Sequence, residues 1–207
     1  MELDQNSKKD TSALCMKNHY KLNDELYTPV KLVKILLPFL EIWAKNFIQN
    51  QGRNPVIWCP FDTEDSEFVR VFQEYGYTVT YSHLNTNQNF FEYEPDIWDI
   101  AISNPPFSQK MDIFKRLFNF NKPFVMLCNE MIINYQIVAN LFTKYEIQLL
   151  APDKKVSFNG KTSSFATGYF CWRFLPRDLI FCHMEDNNTG KNFIPAKLFK
   201  DKEVNNA

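Results

Sequence analysis

Apolar positions along this chain recur in two rhythms. From Val30 to Trp43 they fall three or four residues apart (Val30, Val33, Leu36, Leu37, Leu40, Trp43), which predicts a helix. Thr28 is placed to cap it, and Pro29 to occupy its first helical position. "PVIWCPF" is a short unbroken apolar run of strand length, stopped at Pro60. Ser66 to Tyr75 is helical again and ends at Gly76, and "YTVTYSHL" alternates as a second strand. "WDIAIS" predicts a third strand, residues 110–118 a helix, "PFVMLC" a strand, residues 132–144 a helix and "EIQLLAP" a strand. "TGYFCWRFLP" and "RDLIF" follow as strands with no helix between them.

Strands alternating with helices predict an α/β fold, a mostly parallel sheet covered on both faces, and the final pair adds an antiparallel strand at the C-terminal edge. One domain is expected over residues 23–182. Residues 1–22, polar and aperiodic, read as an N-terminal arm, and residues 183–207 as a polar tail. Lys plus Arg (23) nearly balances Asp plus Glu (24), so no global basic field draws the chain onto nucleic acid and any such binding needs a local patch. Five cysteines without a CxxC pair read as reduced thiols of a cytoplasmic protein, and no metal site is expected, Cys182-His183 lacking a second pair of ligands. No apolar run reaches membrane-spanning length.

The candidate chemistry sits where strands end. "WCPFDTED", "TYSHLN" and "AISNPPF" each close a strand with unusual residues, and in an open parallel sheet ligands bind beyond those carboxyl ends. Asn104-Pro105-Pro106-Phe107 is the most informative of the three. Two prolines forbid both a helix and a continued ladder, and each pushes the residue before it towards extended backbone. The amide oxygen of Asn104 and the carbonyl oxygen of Pro105 are thereby fixed as neighbouring acceptors. An amino group on an aromatic ring is a poor nucleophile because its lone pair is delocalised. Accepting its two N–H bonds in a tetrahedral arrangement draws that lone pair out of conjugation and aims it at an electrophile. Phe107 is suited to stack on the ring that carries the amine.

Asn-Pro-Pro-Phe at the end of a strand resembles motif IV of the S-adenosylmethionine-dependent amino methyltransferases, above all the N6-adenine enzymes. The wider pattern, over roughly residues 23 to 182, looks like the short, phage-encoded DNA adenine methyltransferases with their Rossmann-like fold. "NDELYTP" is similar to their motif X, "WCPFDTEDSEFVRVFQEYGYTVTYSHL" to their motif I unit, and "DKKVSFNGKTSSFATGYFCW" to the segment flanking the target-base pocket. The resemblance implies S-adenosylmethionine as cofactor, held by Tyr27, Thr28, Pro29, Pro60, Phe61, Asp62, Ser82 and Phe91. It implies Asn104, Pro105, Pro106 and Phe107 as the catalytic residues, and Lys155, Phe158, Lys161, Ser164 and Phe165 as contacts to substrate. For a phage protein it implies the host cytoplasm.

The chain departs from that pattern after Pro60-Phe61, where Asp62-Thr63-Glu64-Asp65 stands in place of glycines. Asp62 is then the candidate for the cofactor's amino group, and Thr63, Glu64 and Asp65 equally suit the start of the next helix. Where an acidic residue would hold the ribose, Ser82-His83 stands instead. Only about forty residues separate Asp62 from Asn104, which leaves no room for a recognition region. Short or relaxed sequence specificity is expected, or specificity borrowed from a second copy or a partner subunit. Two alternatives stay open: an amino methyltransferase acting on RNA or a protein amide, and a catalytically inactive relative that binds nucleic acid or protein, as in phage counter-defence.

Overall fold

A computed structural model describes residues 28–158 and 166–184. The expected arm, nearly all of the tail, Tyr27, Lys161, Ser164 and Phe165 lie outside the described residues.

The first helix of the sequence pattern is two helices. α1 spans Val30–Lys34 and α2 spans Leu37–Gln51, with Ile35 and Leu36 as the joint. Pro38 is the cause: it has no N–H to give the preceding turn, and its ring would clash with the carbonyl four residues back. It therefore opens α2. Pro29 stands just before α1 in extended conformation, φ −61° and ψ 138°, one place earlier than the pattern predicts. β1 (Val56–Cys59), α3 (Glu67–Glu74) and β2 (Thr78–Tyr81) form the next unit, with Gly76 at φ 83° turning the chain between α3 and β2. Then come β3 (Ile100–Ser103), α4 (Lys110–Phe120) and β4 (Phe124–Asn129). The helix expected from residue 132 starts later. A 3-10 turn over Glu130–Asn134, closed by Asn129 accepting from the amide of Met131, precedes α5 (Gln136–Tyr145). β5 (Gln148–Pro152), β6 (Thr167–Trp172) and β7 (Leu179–Cys182) complete the sheet.

The seven strands lie in the order β2-β1-β3-β4-β6-β5-β7. β1, β2, β3 and β4 run parallel, β6 is antiparallel to both β4 and β5, and β7 is parallel to β5 at the edge. The mostly parallel, Rossmann-like sheet with antiparallel pairing in its C-terminal half matches the sequence pattern. The two last strands are not each other's neighbours, however, because β5 lies between them.

Helices cover both faces. Ile57, Cys59, Ile100, Ile102, Val125 and Leu127 point one way, into a core shared with α1, α2 and α3. Trp58, Ala101, Phe124, Met126 and Phe170 point the other way, against α4 and α5. The second face absorbs many of the aromatics, for instance Phe118 stacked on Tyr145 with centroids 3.9 Å apart and Trp58 packed on Trp98 at 5.0 Å. Cys59, Cys128, Cys171 and Cys182 are buried free thiols. Among the described residues no helix is long and apolar enough to cross a membrane.

Candidate active site

From β1 the chain moves to β2 on one side, then crosses to β3 on the other. The strand order therefore reverses between β1 and β3, and that reversal opens the crevice where ligands bind in such sheets. Asp62 follows β1 and Asn104 follows β3, so the two candidate residues flank this crevice. A hydrogen bond from the Ser103 hydroxyl to the Asp62 carboxylate spans it.

Burial singles out the same edge. The buried polar or charged residues among the described residues are Thr28, Asp62, Ser82, Ser103 and Thr167. Asp62, Ser82 and Ser103 lie at the carboxyl ends of β1, β2 and β3. Thr167 begins antiparallel β6, opposite Asn129 at the end of β4, and Thr28 is joined to Asn104. Polar groups buried in a fold cost free energy unless something pairs with them. Their collection at one end of an otherwise apolar sheet makes that end the candidate site.

Asn104 Nδ2 donates to Thr28 Oγ1 at 3.2 Å, which orients the amide with Oδ1 on the side away from Thr28. Thr28 thus holds Asn104. Pro105 is buried, and Pro106 is extended at φ −59° and ψ 145°, as the proline pair requires. Phe107 opens a 3-10 turn, Phe107–Gln109, that leads into α4. Phe61 and Phe91 are half-buried and pack around Phe90, at centroid distances of 4.7 and 5.5 Å.

Ser82 behaves differently from expectation. It is fully buried, its hydroxyl accepts from Trp58 Nε1 at 3.0 Å, and its backbone bonds to Cys59 and Asp62. It fastens the ends of β1 and β2 together and offers no open hydroxyl to a ribose. His83 accepts from the Asn85 amide at 3.1 Å and caps a short turn. Phe158 is also corrected: at 9 % exposure it belongs to the α1-side core with Val156 and Met184, so it is no wedge at a nucleic-acid surface. Lys155 is exposed. His183 is engaged with the Asp153 carboxylate.

Three residues of this edge were missed by the sequence reading. Ser103 is the only polar residue of its strand, and that position beside Asn104 was its signal. Ser66 precedes α3 where a capping residue belongs, yet its hydroxyl makes no capping bond. Its Oγ and that of Thr167 are buried with no hydrogen-bond partner among the described residues.

Asp62 is 7 % exposed. Burial pushes its carboxyl up from 3.8 to about 6, against the opposing pull of the Ser103 hydroxyl, which bonds it, and of the nearby Ser66 hydroxyl, which falls short of a full hydrogen bond. The loop that carries it turns without any left-handed residue, since positive φ among the described residues occurs elsewhere. The Ser66 amide closes it by bonding to the Thr63 carbonyl at 3.0 Å. The missing glycines are therefore not needed to make the turn.

Neither a family model nor a curated protein matches the chain. Among solved structures it is similar to a protein from Listeria monocytogenes described as a candidate class I S-adenosylmethionine-dependent methyltransferase. The two share 12 % identity at a TM-score of 0.48, over 83 % of this chain and 69 % of that one. A likeness of that depth says nothing about the reaction.

The donor set suits a cationic amino-acid ligand. A buried carboxylate able to ionise near neutrality offers an acceptor for an ammonium group, and the orphaned Ser66 hydroxyl beside it offers one further bond. The half-buried rings of Phe61 and Phe91 offer apolar surface for a planar group close by.

Proposed function

We propose that the chain is an S-adenosylmethionine-dependent methyltransferase acting on the exocyclic amino group of adenine in DNA. The observation that carries this reading is the position of Asn104-Pro105-Pro106-Phe107 on the rim of the crevice between β1 and β3, with buried Asp62 facing it across the Ser103 bond. Asp62 and Ser66 would hold the donor's amino-acid end, and Phe61 and Phe91 its ring. When bound, S-adenosylmethionine supplies a sulfonium methyl group, an electrophile reactive enough that positioning does most of the work.

Asn104 Oδ1 and the Pro105 carbonyl accept the two amino protons of the adenine and localise the nitrogen lone pair. Thr28 keeps the amide turned the right way by accepting from Nδ2. With S-adenosylmethionine bound, this lone pair would be aimed at its sulfonium methyl group, which would pass to the nitrogen and leave a neutral thioether. The surplus proton then leaves the methylated amine. To reach an adenine in a duplex the protein must flip the base out, at a cost of a few kcal/mol. Exposed Lys155 is available to meet phosphate.

The test is incubation with methyl-labelled S-adenosylmethionine and unmethylated genomic DNA, total RNA or cell protein in parallel. Label appears in DNA and is recovered as N6-methyladenine after digestion to nucleosides. Label confined to RNA or protein overturns the acceptor, and no label in any of them overturns the reaction.

Thr28 yields a separate prediction. In Thr28→Val the amide of Asn104 loses its orienting partner, so kcat falls about tenfold, the worth of one well-placed hydrogen bond at the upper end of its range. Affinity for S-adenosylmethionine, measured by calorimetry, stays within about threefold. A variant with unchanged kcat and lost cofactor affinity would return Thr28 to the cofactor-binding role suggested by its motif.

A further inference from the structure

We infer that Thr167 contacts the acceptor base and helps set specificity for it, an inference that rests on the proposed amino methyl transfer. Thr167 is 4 % exposed, and its Oγ1 has no hydrogen-bond partner among the described residues. A native fold rarely leaves a buried hydroxyl unpaired, and where it does the group commonly has a functional partner.

Register locates it. In the β4–β6 pair Thr167 is opposite Asn129 and Tyr169 is opposite Leu127. Thr167 and Tyr169 are two residues apart on one strand, so they share a face. It is the α1 face, because the Tyr169 hydroxyl donates to the Leu32 carbonyl at 2.8 Å. Asn104 is on that face too, as its bond to Thr28 just before α1 requires. Ser103 is level with Met126, which puts Asn104 level with Leu127 and Tyr169, and Thr167 two residues further out along the carboxyl edge. β3 and β6 are two strand spacings apart, about 10 Å. A planar purine with its amino group at Asn104 extends across that gap towards Thr167.

The order of strands decides which ligand the hydroxyl serves. Asp62 and Ser66, the donor-side groups, follow β1. Asn104 follows β3, and Thr167 lies beyond β4 on the opposite side of Asn104 from them. A methyl-transfer site has its donor on one side of the reacting nitrogen and its acceptor on the other. The hydroxyl is thus on the acceptor side, where it can donate to a ring nitrogen of the base.

The experiment uses the full chain, labelled S-adenosylmethionine and unmethylated genomic DNA, with Thr167→Val and Thr167→Ser. Valine keeps the branched shape that suits a strand and removes only the hydroxyl. The KM for DNA rises about tenfold in Thr167→Val and stays within about twofold in Thr167→Ser. Cofactor affinity and the Tm without DNA are unchanged in both. A lowered Tm in the valine variant assigns the hydroxyl to the fold and overturns the inference, as does an unchanged KM in an active valine variant. If the wild-type chain transfers no label to DNA, the proposed function falls and this inference with it.

Discussion

Asn104→Ala loses methyl transfer to DNA by a factor of at least about a hundred, while its affinity for S-adenosylmethionine stays within about twofold of wild type. The size follows from what is removed. In the proposed mechanism the amide oxygen is one of two acceptors that localise the lone pair of the amine. Losing one preorganised group at a reacting centre typically costs a hundred- to a thousandfold in kcat. The substitution leaves the donor side alone, because Asp62 is held by Ser103 and not by Asn104. Single-turnover transfer of labelled methyl to genomic DNA measures the first quantity, and calorimetric titration the second. Transfer retained at a tenth of wild type or more would sink the mechanism. Cofactor binding lost together with transfer would mean that Asn104 belongs to the donor side.

Asp62→Asn separates stability from function, and its sign follows from the raised carboxyl. The group titrates at about 6 in the fold against 3.8 in its ordinary state, chiefly because it is buried. The folded chain therefore holds this proton more tightly than the unfolded one. Its contribution to stability is fully present below about pH 4 and is lost as pH rises through 6. Between pH 4.5 and 7.5 the loss is about 2 kcal/mol for a shift of this size. Asparagine does not titrate, so the stability of Asp62→Asn relative to wild type improves by about 2 kcal/mol over that interval in urea unfolding. Cofactor affinity runs the other way. Wild-type binding strengthens as Asp62 ionises through pH 6, and the variant, without a negative charge for the ammonium group, binds at least about tenfold more weakly at pH 7.5. A relative stability that does not change with pH would mean that the carboxyl is not buried as described.

Much of this architecture is legible from residue spacing. "VIWC" is apolar at every position, and "IAIS" at every position but Ser103, because both faces of their strands are covered, and that is what marks a parallel sheet. The proline pair after Asn104 was equally plain, since no regular element tolerates it. What spacing concealed was competition between local and distant effects. The helix from Val30 reads as continuous by its apolar period, yet Pro38 divides it, and a period says nothing about a missing N–H. Phe158 looked like a surface aromatic because its neighbours are polar, whereas a partner far along the chain, Met184, lies in the same core. The insertion of β5 between β6 and β7 leaves no local trace, because strand order is decided by pairing over long separations. At the edge itself, Asp62 and Asn104 announced themselves by their motifs. Ser66 and Thr167 are ordinary hydroxyl residues in sequence, and only the absence of a partner in three dimensions sets them apart.

The bond from Tyr169 to the Leu32 carbonyl closes a loop of 137 residues, and the bond from Asn104 to Thr28 one of 76. Contacts that join such distant segments form late, because the entropy of closing the chain must be met before they stabilise anything. During synthesis from the amino terminus, α1 and Thr28 emerge long before β6 exists to receive them. Most of the parallel sheet, with Thr28 and Asn104 both present, can form on the ribosome before Tyr169 arrives to fasten α1. The candidate edge is thereby finished only when nearly the whole described chain has been made, and a prematurely terminated product that ends before β6 carries the Asn104-Pro105-Pro106-Phe107 motif without Thr167.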